Sequence, residues 1–147
     1  MTNLFPFLIP KSQVVFLDED STLRNGLEKL RHHGYTAIPV VAKDGRYRGT
    51  VTEGDFLWTL LERGEYRIKE LEKCCVADLI RTGWNPPVYA YECMDRLFAR
   101  LLEQNFVPVV DDRGVFIGIV TRKAVLGHCI FSELDKNSQK VHNSETF

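Results

Sequence analysis

Long apolar runs, paired cysteine motifs and a surplus of either charge are all missing from this 147-residue chain, and each absence excludes something. The apolar stretch Leu4-Phe5-Pro6-Phe7-Leu8-Ile9-Pro10 falls far short of the roughly 20 residues that span a bilayer. It also lacks the basic start and small-residue cleavage site of a secretory signal. Nineteen Lys and Arg stand against twenty Asp and Glu, a net charge of −1, which argues against the basic surface that nucleic acid requires. Four cysteines, Cys74, Cys75, Cys93 and Cys129, form no CxxC pair and have no histidine at zinc spacing. They read as reduced thiols of a cytoplasmic protein. The adjacent His32 and His33 point differently around a helix and make poor joint metal ligands. No nucleophile–base set is present beyond the sequence neighbours His128 and Cys129, so the chain is expected not to be an enzyme.

What the sequence does contain is a repeat. Gly49-Thr50-Val51-Thr52-Glu53-Gly54-Asp55 returns 69 residues later as Gly118-Ile119-Val120-Thr121-Arg122-Lys123-Ala124. Pro39-Val40-Val41 returns at the same offset as Pro108-Val109-Val110, and Asp44-Gly45-Arg46 faces Arg113-Gly114-Val115. Upstream, Leu23, Leu27 and Leu30 match Met94, Phe98 and Leu101 at an offset of 71. The second copy therefore lacks two residues between its helix and its strand, where a loop tolerates deletion.

Each copy predicts five elements. A short strand comes first, Val14–Leu17 or Pro87–Ala90. An amphipathic helix follows, with apolar residues at spacings of three and four; Gly34 and Asn105 are expected to end these helices in the left-handed conformation. A hairpin then turns at Asp44-Gly45 or its counterpart, and a last helix starts after Thr52 or Thr121. The fold class expected is mixed α+β, two β-α-β-β-α units packed about a pseudo-twofold axis. Residues 1–13 form an N-terminal arm that packs on its own module or on a partner subunit. Residues 14–66 and 87–131 form the two repeats. Residues 67–86 connect them with a helical segment carrying Ile68, Leu71, Cys75 and Leu79. Residues 132–147 are a polar tail expected to fray.

Thr52 and Asp55 admit two readings that are mutually compatible. Thr-x-x-Asp is close to a capping box, in which the hydroxyl accepts a helix N–H and the acid reaches back. A helix N-terminus also favours phosphate, and an acceptor-only carboxylate one turn in suits ribose hydroxyls. The second copy offers Phe106, Val107, Pro108, Thr121, Arg122 and Lys123. Arg122 and Lys123 are either phosphate contacts or solvated charges, and Ala124 cannot hold a ribose. One asymmetric site, or a ligand with two phosphates shared across the seam or across a dimer, fits this sequence better than two equal sites.

The duplicated strand–Gly-hydrophobic-x-Thr-x-x-Asp–helix order resembles a tandem CBS-domain pair, or Bateman module, of the small stand-alone bacterial type. The resemblance covers about residues 14–130 and fails only at Ala124. It implies that the backbone at Ala37-Ile38-Pro39 meets an adenine edge with Thr36 nearby, and that Val14 or Val15 covers its face. It further implies no catalytic cofactor, a regulatory adenine-nucleotide ligand (AMP, ATP or cyclic di-AMP), a homodimer and an unidentified protein target. Neither nucleic acid nor membrane is an expected partner. The competing expectation is a ligand-free dimerisation scaffold in which Thr52 and Asp55 are only a cap.

Overall fold

The computed structural model describes residues 3–64 and 66–144; residues 1 and 2 of the arm and 145–147 of the tail lie outside the described residues. The two repeats fold alike. In the first, β2 (Leu17–Asp18), α1 (Leu23–His33), β3 (Ala37–Val41), β4 (Tyr47–Thr52) and α2 (Glu53–Arg63) follow one another. In the second, the series is β5 (Val88–Tyr89), α4 (Met94–Glu103), β6 (Phe106–Val110), β7 (Phe116–Thr121) and α5 (Arg122–Ser144). Between them lie α3 (Ile68–Leu71) and a 3-10 turn at Val76–Leu79.

The strand registers repeat at the offset read from the sequence. Ala37 pairs with Thr52 and Pro39 with Thr50; Phe106 pairs with Thr121 and Pro108 with Ile119. Each antiparallel hairpin carries a parallel first strand, β2 on β3 and β5 on β6. These first strands are shorter than expected, so Val14 and Val15 fall outside the ladder.

Each half buries its own core. Leu17, Leu23, Leu30, Ile38, Val51 and Phe56 anchor the first; Val88, Leu97, Leu101, Val107 and Val120 anchor the second. The halves join at their hairpin tips. The Tyr47 amide donates to the Gly114 carbonyl at 3.1 Å and the Phe116 amide to the Gly45 carbonyl at 2.9 Å. Tyr47 stacks on the buried Phe116 ring at 6.2 Å between centroids.

Of the two packings expected for the arm, the structure has the one on its own module, and three further expectations are corrected. The arm is part of the second half: β1 (Ile9–Pro10) adds to β7 as an edge strand, and Leu4 and Phe7 sink into the second core. The connecting segment is not one helix, because the chain bends at Cys74 and runs extended at Cys75; the Leu23 amide donates to the Cys74 carbonyl and Thr22 bridges Cys75. The polar tail continues α5 as helix to Ser144 instead of fraying after Phe131. Gly34 ends α1 at φ 68° as expected, but α4 ends at Gln104 in an extended conformation, with no left-handed Asn105.

That last difference has a local cause. The second copy is two residues shorter here and passes directly into β6, so it has no room for a glycine cap. Arg122 caps instead: its Nε donates to the Leu101 carbonyl at 2.8 Å, and its terminal nitrogen to the carbonyls of Leu102 and Gln104 at 3.3 Å each. A cation at the negative end of a helix is favourable.

Candidate functional site

Both last helices begin on a threonine cap. Thr52 Oγ1 accepts from the Asp55 amide at 3.2 Å, and Asp55 Oδ2 accepts from the Thr52 amide at 2.8 Å, a complete capping box. Thr121 Oγ1 accepts from the Ala124 amide at 3.0 Å, with no reciprocal acid. The first helical amide of each is also used: Glu53 donates to the Thr36 carbonyl and Arg122 to the Asn105 carbonyl, both at 3.0 Å. These bonds fix the start of each helix against the start of β3 or β6 in the same half.

Two adjoining cavities open along the seam, each of about 350 Å³, within the range of small-molecule sites. Thr36, Ala37, Asn105 and Phe106 wall both. The first is apolar. Val14, Val15, Tyr35 and Pro39 come from the first half, Ile119 and Thr121 from the second, and Ile9 from the arm. The second is the more polar of the two, with Thr52, Glu53 and Gly54 from the start of α2 and Trp84, Asn85, Glu103 and Gln104 also among its walls. Among the described residues no Lys or Arg lines either one.

This arrangement crosses the copies. The residues grouped by sequence around one repeat do not share one cavity: Val14, Val15 and Pro39 stand with Thr121, whereas Thr52 stands with Phe106 and the segment before β5. The pseudo-twofold packing sets the segment leading into the first strand of each half against the start of the other half's last helix, and no local pattern encodes that pairing.

Of the remaining site candidates, Ile38 and Val107 are wholly buried core residues and Pro108 is buried beside Val107. None of the three lines either cavity. Arg122 is spent on capping α4. Lys123 lines a separate groove with Leu126 and Ile130. Asp55, read as a ribose ligand, lines neither cavity; its other oxygen pairs with Arg81 Nε at 2.9 Å, and its side chain is 9% exposed. A carboxylate nearly out of water and bonded on both oxygens is not open to a sugar in this arrangement. The sequence reading missed Tyr35, Asn105, Trp84, Asn85 and Gln104. The same offset could have found Asn105, since it is the counterpart of Thr36.

The polar cavity has a stiff wall. Asn85, 5% exposed, takes a left-handed φ of 52°, a conformation asparagine tolerates better than most residues. Its Nδ2 donates to Thr50 Oγ1 at 2.9 Å, and its Oδ1 accepts from Gln104 Nε2. The Tyr47 hydroxyl donates to the Asn85 carbonyl at 2.8 Å and lies 2.7 Å from Thr50 Oγ1. With its one proton so placed, Tyr47 accepts from Thr50, and a closed ring of three hydrogen bonds results. Burial pushes the Tyr47 hydroxyl pKa up to about 12, against the opposing pull of its bonds to Thr50 and Asn85. The ring joins β4 of the first half to the segment entering the second.

The CBS domain family model matches residues 8–62 and 94–130. Over 136 residues the chain is 26% identical to cyclic di-AMP receptor B of Bacillus subtilis (strain 168), spanning 92% of this chain and 88% of the receptor. The crystal structure of CbpB in complex with c-di-AMP matches with a TM-score of 0.83 at 23% identity, over 94% of this chain and 90% of that one. CbpB of Listeria monocytogenes in complex with c-di-AMP is 27% identical, with a TM-score of 0.76, over 88% of this chain and 96% of that one.

Proposed function

The chain belongs to the CBS-domain family, and from that premise we propose that it is a regulatory module which binds an adenine nucleotide at the seam between its halves. The observation that carries the reading is the pair of adjoining cavities, one apolar and one polar, walled in common by Thr36, Ala37, Asn105 and Phe106. The adenine ring enters the apolar cavity between Val14, Val15 and Phe106. The sugar and phosphate extend over the shared wall toward Thr52 and Gly54. Two cavities side by side suit a ligand with two nucleoside halves. Cyclic di-AMP is therefore the first candidate, supported by the receptor and the complex to which this chain is 26% and 27% identical, with AMP and ATP next.

Binding works as a population shift. A ligand that touches both halves favours the arrangement in which they are closed, and the surface offered to a protein target changes with it. The module acts as a cytoplasmic homodimer and does no chemistry on its ligand. The dimer face is made by α2 and α5, where Leu57 and Leu61 match Leu126 and Ile130 at the repeat offset and all four are more than half exposed. Among the described residues no helix is long and apolar enough to cross a membrane.

A ligand-free scaffold is the second reading, and the Asp55–Arg81 pair favours it, because the acid is satisfied without a nucleotide. Isothermal titration of the folded protein with cyclic di-AMP, AMP, ADP and ATP decides between them. Saturable binding with cyclic di-AMP foremost is expected; no heat from any of the four overturns the nucleotide reading in favour of the scaffold.

A further inference from the structure

The two cavities hold no cation of their own, yet a nucleotide brings at least one negative charge. The polar cavity is worse than neutral, because Glu53 and Glu103 are both among its walls. Arg122 is committed to the end of α4, and Lys123 lines a neighbouring groove that meets the seam at Asn105 without being a wall of either cavity. One cation is nevertheless held beside the polar cavity. Arg81 pairs with Asp55 at 2.9 Å, and its guanidinium lies 4.2 Å from the centroid of the Trp84 ring. Trp84 is a wall of that cavity, and Asp55 follows directly on the wall residues Thr52, Glu53 and Gly54. Arg81 thus bridges the two sides of the cavity's rim without filling it.

Its position is built into the fold. Ile80, the preceding residue, packs on the bare α-carbon of Gly49. The following turn, closed by the Trp84 amide on the Arg81 carbonyl at 3.3 Å and passing through Gly83 at φ 76°, brings Trp84 back under the guanidinium. The side chain remains 52% exposed, whereas its partner Asp55 is 9% exposed. The carboxylate is fixed; the guanidinium is the part able to move. A guanidinium has five N–H donors in a planar fork suited to phosphate, and the Asp55 contact through Nε leaves others for an incoming anion.

We infer that Arg81 is the phosphate-reading residue of this site, held in readiness by Asp55 and Trp84 until a nucleotide phosphate reaches the polar cavity. The inference rests on the nucleotide reading above and adds a part for Asp55, which holds the cation that meets the phosphate. Phosphorylated adenine ligands should therefore depend on Arg81, and the unphosphorylated nucleoside should not.

The test compares AMP, cyclic di-AMP and adenosine on the full chain and on its Arg81→Ala, Arg81→Gln and Arg81→Lys variants by equilibrium titration, with thermal melting as the check on folding. Charge-assisted contacts of this kind translate into a loss of about 10- to 100-fold. That loss is expected for AMP and cyclic di-AMP in Arg81→Ala and Arg81→Gln, with partial recovery in Arg81→Lys and adenosine affinity held within about twofold. Arg81→Gln keeps a planar polar head over Trp84, so it also serves if the alanine variant does not fold. Unchanged or tighter nucleotide binding in the variants overturns the inference while leaving the nucleotide reading standing. Equal loss for adenosine assigns Arg81 a merely structural part and overturns it too. If the unaltered protein binds none of the three, both fall together.

Discussion

Replacing Gly118 with alanine is expected to damage the protein far more than the same change at Gly49, and the comparison isolates the arm. Both glycines have a φ of 156° and stand one repeat apart, beside matching irregularities in their hairpins. The backbone cost of about 1–3 kcal/mol for a non-glycine residue there is therefore common to both and cancels. The neighbours differ. The three atoms nearest a methyl at position 49 all belong to the Ile80 side chain, which yields at less cost than backbone. A methyl at position 118 collides with the carbonyl oxygen of Ile9 and comes within 3.1 Å of its carbonyl carbon. Backbone cannot rotate away. Either β7 and β1 shift apart, an overpacking cost of about 1–3 kcal/mol, or the arm leaves and exposes Leu4 and Phe7, at about 1.5–3 kcal/mol for each side chain. The smaller cost prevails, so Gly118→Ala should lie about 2 kcal/mol below Gly49→Ala, or about 6 °C in melting temperature for a chain of this length. Ile9 is a wall of the apolar cavity, so nucleotide affinity should fall with arm protection in hydrogen exchange. Equal melting temperatures for the two variants, or undiminished protection across residues 4–10 in Gly118→Ala, would refute the placement of the arm.

Arg122→Ala removes the cap of α4 and should cost about 1–2 kcal/mol in urea unfolding, with no change in nucleotide affinity; a selective loss of nucleotide binding would return Arg122 to the site. Tyr47→Phe opens the three-membered ring beside Asn85 and should cost about 1–3 kcal/mol through the groups left unpaired. The same residue sets a pH dependence: its folded pKa of about 12 lies above the ordinary 10, so its contribution is complete below pH 10 and is lost as pH rises toward 12. At about 1.4 kcal/mol per unit, the loss is on the order of 2–3 kcal/mol. Alkaline unfolding of the protein should show that loss and Tyr47→Phe should not; parallel curves would count against it. Leu61→Glu combined with Ile130→Glu should convert the proposed homodimer to a monomer in light scattering, and an unchanged mass would refute the proposed dimer face.

Much of the fold was legible because the chain says it twice. One offset located both hairpins, both prolines and both threonine caps, and a hairpin's register follows from its own turn, with no help from distant residues. The site was legible only in part. Thr36, Ala37, Phe106 and both threonines do wall the seam. Asp55 was read as a helix cap, a ribose ligand or both; the cap is present, and the second oxygen pairs with Arg81, 26 positions on. Arg122 was read as either a phosphate contact or a solvated charge, and it caps α4. Both differences concern a long charged side chain, whose head can serve any of several neighbours, and sequence spacing does not say which.

The sequence by itself therefore determined the elements, their pairing within each half and the presence of two equivalent halves, since all of these rest on contacts between residues close in the chain. Only the tertiary structure decided that the arm joins the second sheet, that the segment before the first strand of one half shares a cavity with the start of the other half's last helix, and that one cavity is more polar than its neighbour. Those features depend on how the two halves meet across the pseudo-twofold axis. That meeting is fixed by the Tyr47–Phe116 stack, the hairpin-tip hydrogen bonds and the shape of two packed cores, none of which leaves a periodic trace in the order of residues.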